Sequence, residues 1–173
     1  MSDRALYALR DDGAIEPIGR GLYRRRDIAE PADVDLLEIA HRAPEATLCL
    51  ASALARHDLT DLIPATIDVA IPRGRRRPRT RAPVTWHRFD PETFGVGRGE
   101  MRLDERTAIG LYSPERCIID AFRLRHREGP ELGRTALRRW LARRDVQPSA
   151  LLAMARDFPH AERALRETLE VLL

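Results

Sequence analysis

Ten residues in the middle of the chain, RGRRRPRTRA at 73–82, contain six arginines and a proline and are too charged to lie in a protein core. They separate two stretches with strand-like patterns, TIDVAIP at 66–72 and VTWHRF at 84–89. The spacing therefore predicts two strands joined by a surface loop, and that loop carries the densest positive charge in the sequence.

Residues 1–26 predict a helix followed by a β-hairpin. Ser2 can cap a helix on which Leu6 and Leu9 share one face, and Asp12-Gly13 can end it. In the segment AIEPIGRGLYRR, Gly19-Arg20-Gly21 supplies the turn between two short strands. A helix followed by an arginine-edged hairpin is typical of the second half of a winged helix-turn-helix, its recognition helix and wing.

The rest of the chain mixes helical and strand-like segments. The segment DIAEPAD (27–33) has the composition of a linker, and residues 33–43 repeat apolar side chains at helical spacing. EATLCLASALARHDLTDLIP predicts a second helix, and GEMRLDERTAIGLY predicts a hairpin that turns near Asp104-Glu105. Ser113 and Pro114 begin the first of three C-terminal helices, near 114–126, 131–144 and 148–172, with a break at Pro159 in the last.

This order of elements lacks regular βαβ alternation and predicts an α+β protein. We expect a partial winged helix-turn-helix over residues 1–30, followed by a mixed α/β domain over 31–173 with a helical C-terminal third. At 173 residues with 43% hydrophobic content, the chain can bury one ordinary core.

All 30 basic residues are arginine, against 27 acidic ones, so no step can use a lysine amine and P-loop chemistry is excluded. Cys49 and Cys117 lie in separate apolar runs and are expected to be buried, reduced thiols. No apolar run approaches the ~18 residues that span a bilayer, and the charged N-terminus does not resemble a signal peptide. We therefore expect a cytoplasmic protein without membrane association.

The arginines are the candidate ligands for nucleic acid, since each guanidinium can donate a bidentate pair to phosphate oxygens. Arg4, Tyr7 and Arg10 are spaced three apart and share one helix face, from which they could read base edges in a major groove. The other predicted DNA-binding residues are those of the wing (Arg20, Arg24, Arg25 and Arg26) and of the loop (Arg73, Arg75, Arg76 and Arg77). The alternative interpretation of the loop is a solvated segment in an arginine-rich proteome.

Catalytic patterns are weak in this sequence. The five histidines are scattered, with no HExxH and no His/Cys pairs at zinc spacing, and no glycine-rich phosphate loop occurs. We predict no catalytic residue, no metal ligand and no cofactor. Asp68, on a predicted strand, leaves a metal-dependent nuclease as an alternative, although the acid-x-lysine that usually completes such a site cannot exist here.

Three stretches together resemble the AbiEi-type antitoxins of type IV (abortive infection) toxin–antitoxin systems, also described as predicted transcriptional regulators of viral defence. LYALRDDGAIEPIGRGLYRRRD is similar to the family's recognition helix and wing, and LCLASALARHDLTDLIPATIDVAIPRG to its central helix, loop and strand. LYSPERCIIDAFRLRHREGPELGRTALRRWL is similar to its Ser-Pro-Glu helix and the following helix. The resemblance spans essentially the whole chain.

The resemblance implies a winged domain that binds operator DNA near the antitoxin's own promoter, often as pairs on inverted repeats. It implies a C-terminal antitoxin domain that counters a nucleotidyltransferase-like toxin without requiring a stable complex, and no enzymatic activity. Family members carry about 25 further residues before this stretch, enough for two short helices. Here the recognition helix follows Met1 directly, so we expect the front half of the motif to be absent from this chain.

The residues leave a second function class open, a protein-interaction module without sequence-specific DNA binding. The near-neutral net charge of +3 and the partial winged domain favour it. Its surface would be the C-terminal helices, where TALRRWLARR combines Trp140 and Leu141 with arginines. The competing interpretation of Trp140 is ordinary core packing.

Overall fold

The computed structural model describes residues 3–25 and 33–172 and, apart from Asp3 and Arg24, their side chains. The predicted cap Ser2, the wing residue Arg26 and most of the predicted linker lie outside the described residues. The helices are α1 (Asp3–Asp11), α2 (Val34–Arg42), α3 (Leu50–Arg56), α4 (Pro91–Phe94), α5 (Pro114–Arg123), α6 (Arg125–Glu128), α7 (Pro130–Leu141), α8 (Pro148–Ala155) and α9 (Pro159–Leu172). The strands are β1 (Ile15–Gly19), β2 (Leu22–Arg25), β3 (Thr47–Leu48), β4 (Ile67–Pro72), β5 (Val84–Phe89), β6 (Arg98–Arg102) and β7 (Ala108–Tyr112).

The N-terminal helix and hairpin form as the sequence predicts. Strands β1 and β2 pair antiparallel around a turn at Arg20-Gly21, where Gly21 has a φ of 73° that favours glycine. Helix α1 packs against β1, and β1 in turn packs against α2. Leu9 nevertheless stays 38% exposed, so α1 buries only a small part of its apolar surface in this chain.

A mixed five-stranded sheet of order β5-β4-β3-β7-β6 forms the centre of the molecule. The short strand β3 pairs antiparallel with β4 and parallel with β7, while β6 and β7 form an antiparallel hairpin. Strands β4 and β5 are parallel, with Ile67 opposite Val84 and Pro72 opposite Phe89.

The parallel pairing of β4 and β5 determines the path of the arginine-rich segment. A chain that leaves one end of β4 must return to the other end before it can enter β5 in the same direction. Residues 73–83 make this crossover without a helix, over a strand length of roughly 17 Å at about 3.3 Å per residue. The arginines of this segment are therefore distributed along the length of the two strands.

Helix α5 is the centre of the helical part of the core. It begins at Pro114 with the Ser113 hydroxyl accepting from the Arg116 amide at 3.2 Å, as the Ser-Pro-Glu pattern predicts. Its apolar face packs against α3, α7, α8 and α9, and Ile118 and Ile119 are fully buried.

The predicted elements are confirmed over most of the described residues. The α+β class, the helix at 34–42, the strands at 67–72 and 84–89, the hairpin near Asp104 and the break before Pro159 all match. Cys49 and Cys117 are fully buried free thiols, as predicted, and burial raises the pKa of both well above the usual range. None of the helices within residues 3–25 and 33–172 has both the length and the apolar character to cross a membrane.

One predicted element is wrong in part. The sequence from Glu45 to Pro64 predicts a single helix, but β3 occupies Thr47–Leu48 and α3 spans only Leu50–Arg56. The physical reason is tertiary: β3 is the strand that joins β4 to β7, so the sheet overrides the helical spacing of this run.

Candidate nucleic-acid interface

The predicted reading face of α1 is present on the surface. Arg4, Tyr7 and Arg10 are all exposed, and the Arg10 guanidinium lies 5.0 Å from the centre of the Tyr7 ring. Arg10 also donates to the Asp11 carboxylate at 2.7 and 3.0 Å, and this hydrogen bond raises the pKa of the Arg10 side chain. Arg4 makes no ion pair with any described residue, so it is the cation of this face that is freest to bind phosphate.

The β1–β2 hairpin, which the sequence predicts to be a wing, presents its arginines from the turn and from β2. Arg20 lies at the turn with its side chain exposed, and its carbonyl oxygen accepts a hydrogen bond from Arg42 Nη2 at 2.7 Å. Arg25 is exposed at the end of β2. The backbone of Arg24 pairs with Glu16, and Arg26 lies outside the described residues.

The loop arginines separate into two groups. Arg75 Nε lies 2.7 Å from a Glu45 carboxylate oxygen, and Arg73 Nη1 lies 3.8 Å from Asp90. Arg76 and Arg77 are exposed and face no carboxylate in the part of the chain that the structure describes. Of the four predicted loop residues, Arg76 and Arg77 therefore keep unneutralised charge, and Arg79 and Arg81 further along the segment are likewise exposed without an ion pair to any described residue.

The β1–β2 hairpin and the end of the loop meet at one buried side chain, Glu38 of α2. One carboxylate oxygen accepts from the backbone amides of Arg81 and Ala82 at 2.8 and 3.2 Å. The other accepts from Arg42 Nε at 3.4 Å, and Arg42 in turn reaches the carbonyl of Arg20. The two predicted basic segments are therefore brought together on one side of α2.

Sequence reasoning missed Glu38 and Arg42. Glu38 lies between Leu37 and Ile39 and is 1% exposed. The apolar spacing of the helix predicts buried positions for its hydrophobic residues only, and it gives no sign that this glutamate is buried. The available signal was the spacing of Glu38 and Arg42, four residues apart on a predicted helix, which indicates an ion pair. The contacts with Arg81 and Ala82 are tertiary and leave no pattern in the sequence.

Asp68, the residue of the nuclease alternative, pairs with a histidine. Its Oδ1 atom lies 2.9 Å from Nε2 of the buried His87 on the neighbouring strand, and its amide donates to Ser52 Oγ at 2.8 Å. No group of three His, Cys, Asp or Glu side chains with the geometry of a metal site occurs among the described residues.

Trp140, the candidate anchor of the interaction-module alternative, lies in the core. It is 2% exposed, and its indole nitrogen donates to Glu115 at 3.1 Å. Core packing, the competing interpretation, is therefore confirmed. The exposed apolar side chains of the C-terminal helices are instead Val171 and Leu172, which line a groove of about 370 Å³ with Arg134, Arg138, Glu167 and Thr168.

The sequence matches no protein-family model, and no curated protein is significantly similar to it.

Proposed function

We propose that the chain is an AbiEi-type antitoxin that binds operator DNA near its own promoter and represses its own transcription. The observation that supports this proposal best is the crossover 73–83, which carries exposed arginines along two strands and ends beside the wing. Its length of roughly 17 Å corresponds to about five base pairs of duplex at about 3.4 Å each. Guanidinium groups distributed over that distance suit the phosphates of a nucleic-acid backbone.

In this proposal the three basic segments have different roles. Helix α1 enters the major groove with Arg4, Tyr7 and Arg10 towards the base edges, and the wing arginines contact the adjacent backbone or minor groove. Arg76 and Arg77 of the loop add sequence-independent phosphate contacts. The C-terminal domain counters the cognate nucleotidyltransferase-like toxin, and two copies of the chain bind an inverted repeat.

The test is fluorescence anisotropy of the 173-residue chain on the DNA upstream of its gene and on scrambled DNA, across a salt series. With about five phosphates neutralised, log K is expected to fall with log salt at a slope of about −4 to −5. Preference for the upstream DNA supports an autorepressor. Equal binding to both DNAs would contradict sequence-specific recognition. The chain would then bind DNA through phosphate contacts only.

Replacing Arg20 by alanine is expected to reduce the magnitude of that slope by about 0.9, because one phosphate contact is lost. Arg163→Ala is the matched control, since this arginine is also exposed but lies on α9 in an ion pair with Glu167. The same salt series measures both variants. An unchanged slope for Arg20→Ala would remove the wing turn from the interface.

A second candidate function is a protein-interaction module, which the groove between α7 and α9 favours. Val171 is 84% exposed beside Arg138, which makes no ion pair within the described part of the chain. Exposed apolar side chains beside an unneutralised cation are complementary to an acidic, amphipathic segment of a partner protein. For an antitoxin, that partner is the cognate nucleotidyltransferase-like toxin.

Reversing the charge at this groove tests the second candidate. Arg138→Glu is expected to weaken binding of the purified toxin about tenfold in calorimetric titration, because an attraction becomes a repulsion. Arg144→Glu, at an exposed position outside the groove, is the matched control. Equal affinities for the two variants would rule out the groove as the toxin-binding surface.

A further inference from the structure

Glu38 is a buried carboxylate whose hydrogen bonds all lead to the two basic segments. It lies on α2 among Leu37, Ile39 and other buried residues. A carboxylate in such surroundings requires hydrogen-bond donors, and here they come from Arg42 and from the amides of Arg81 and Ala82. These two amides belong to the last residues of the crossover before β5 begins.

The wing approaches the same carboxylate from the other side. A Cβ atom on Gly19 would lie 2.7 Å from Glu38 Oε1, so the hairpin packs this closely only because residue 19 is glycine. Arg42 then connects the two, because its Nε faces Glu38 while its Nη2 donates to the carbonyl of Arg20 at 2.7 Å. Glu38 thus contacts both segments, although it has almost no exposed surface itself.

We propose that Glu38 is a positioning residue that holds the wing turn and the arginine crossover in one preorganised phosphate-binding surface. The inference rests on the proposed DNA-binding function. Two flexible segments would each lose conformational entropy when DNA orders them, and this cost weakens binding. Segments already held by one buried carboxylate avoid most of that cost, so Glu38 contributes to affinity without touching DNA.

The sign of one substitution distinguishes positioning from simple electrostatics. Glu38→Gln preserves the shape but removes the charge, and either the amides of Arg81 and Ala82 or the Arg42 side chain then loses its acceptor. Removing a negative charge from a DNA-binding protein should by itself strengthen binding. A positioning role predicts the opposite, a loss of about tenfold in affinity for the upstream DNA.

Glu45→Gln is the matched control because it removes the same charge from the exposed partner of Arg75. We expect this variant to bind DNA at least as tightly as the unaltered chain. Gly19→Ala provides a second perturbation from the wing side, without changing α2, and should weaken binding as Glu38→Gln does. Thermal unfolding of each variant establishes whether it folds. If Glu38→Gln does not fold, the DNA affinity of Gly19→Ala tests the positioning role instead.

Amide hydrogen exchange gives a readout that does not depend on DNA. The amides of Arg81 and Ala82 should exchange faster in Glu38→Ala, which removes both carboxylate oxygens, while that of Arg73, which donates to the Phe89 carbonyl, should not change. Unchanged exchange at 81 and 82 in Glu38→Ala, or tighter DNA binding by Glu38→Gln, would overturn the inference alone. Absence of salt-dependent DNA binding by the unaltered chain would overturn the proposed function and the inference with it.

Discussion

Replacing Asp120 by alanine is expected to lower the free energy of unfolding by about 3–5 kcal/mol, the usual cost of removing one partner from a buried ion pair. Asp120 is fully buried on α5 and accepts from Arg116 Nε at 3.0 Å and from Arg123 Nη2 at 2.7 Å. Without it, the fully buried Arg116 and the partly buried Arg123 keep their charges and lose their shared counter-ion.

The effect should extend beyond the ion pair because Arg116 connects several parts of the core. Its Nη1 donates to the carbonyls of Thr93 and Val96, and its guanidinium lies 4.3 and 4.4 Å from the ring centres of Tyr112 and Phe158. An uncompensated Arg116 would therefore disturb the segment after β5, the end of β7 and the start of α9 together.

Chemical denaturation monitored by circular dichroism measures this loss of stability. The midpoint temperature of thermal unfolding should fall by on the order of 10 °C. Asp145→Ala, at an exposed position between α7 and α8, is the control and should change stability by less than about 0.5 kcal/mol. Asp120→Asn removes the charge but keeps the shape of the side chain. We expect its loss of stability to lie between the losses of Asp120→Ala and Asp145→Ala. A loss below about 1 kcal/mol for Asp120→Ala would show that the arginines find other partners.

Much of the secondary structure could be predicted because its signals are local. The β1–β2 turn follows from the glycines around Arg20, the start of α5 from Ser113-Pro114, and the break between α8 and α9 from Pro159. Strand β5 is confirmed at its predicted ends, and β4 begins one residue later than predicted, at Ile67. Both are predicted well because proline and charge bound them. In each case the residues that determine the element lie within it or next to it.

The arrangement of these elements could not be predicted in the same way. Strand β3 exists because β4 and β7 pair with it, and the parallel pairing of β4 with β5 turns a simple loop into a crossover. Such pairing depends on residues far apart in sequence, for which one chain carries no pattern.

The candidate site shows the same limit. The sequence identified the arginines that could bind phosphate, but it could not distinguish Arg75, which pairs with Glu45, from Arg77, which faces no carboxylate among the described residues. Nor could it show that Glu38 joins the β1–β2 hairpin to the crossover. Both distinctions depend on tertiary contacts. These contacts determine which arginines we expect to bind DNA.

The double substitution Arg76→Ala/Arg77→Ala is expected to weaken DNA binding about 100-fold, since each charge-assisted phosphate contact contributes roughly 1.5 kcal/mol. The magnitude of the salt slope should fall by about 1.8, which corresponds to two released phosphate contacts. Fluorescence anisotropy across the salt series measures both quantities, on the upstream DNA and on the scrambled DNA. Because phosphate contacts are independent of sequence, the loss should be equal on the two DNAs.

Arg73→Ala/Arg75→Ala is the matched control because it removes the same charge from the same crossover. Its arginines face Asp90 and Glu45, so a phosphate would have to compete with a carboxylate for each of them. We expect the slope to fall by less than about 1 in this variant. The two variants have the same net charge. Any difference between their DNA affinities must then come from direct contacts between arginine and phosphate. Equal losses would show that the carboxylates release their arginines to DNA. No loss in either variant would exclude residues 73–77 of the crossover from the interface.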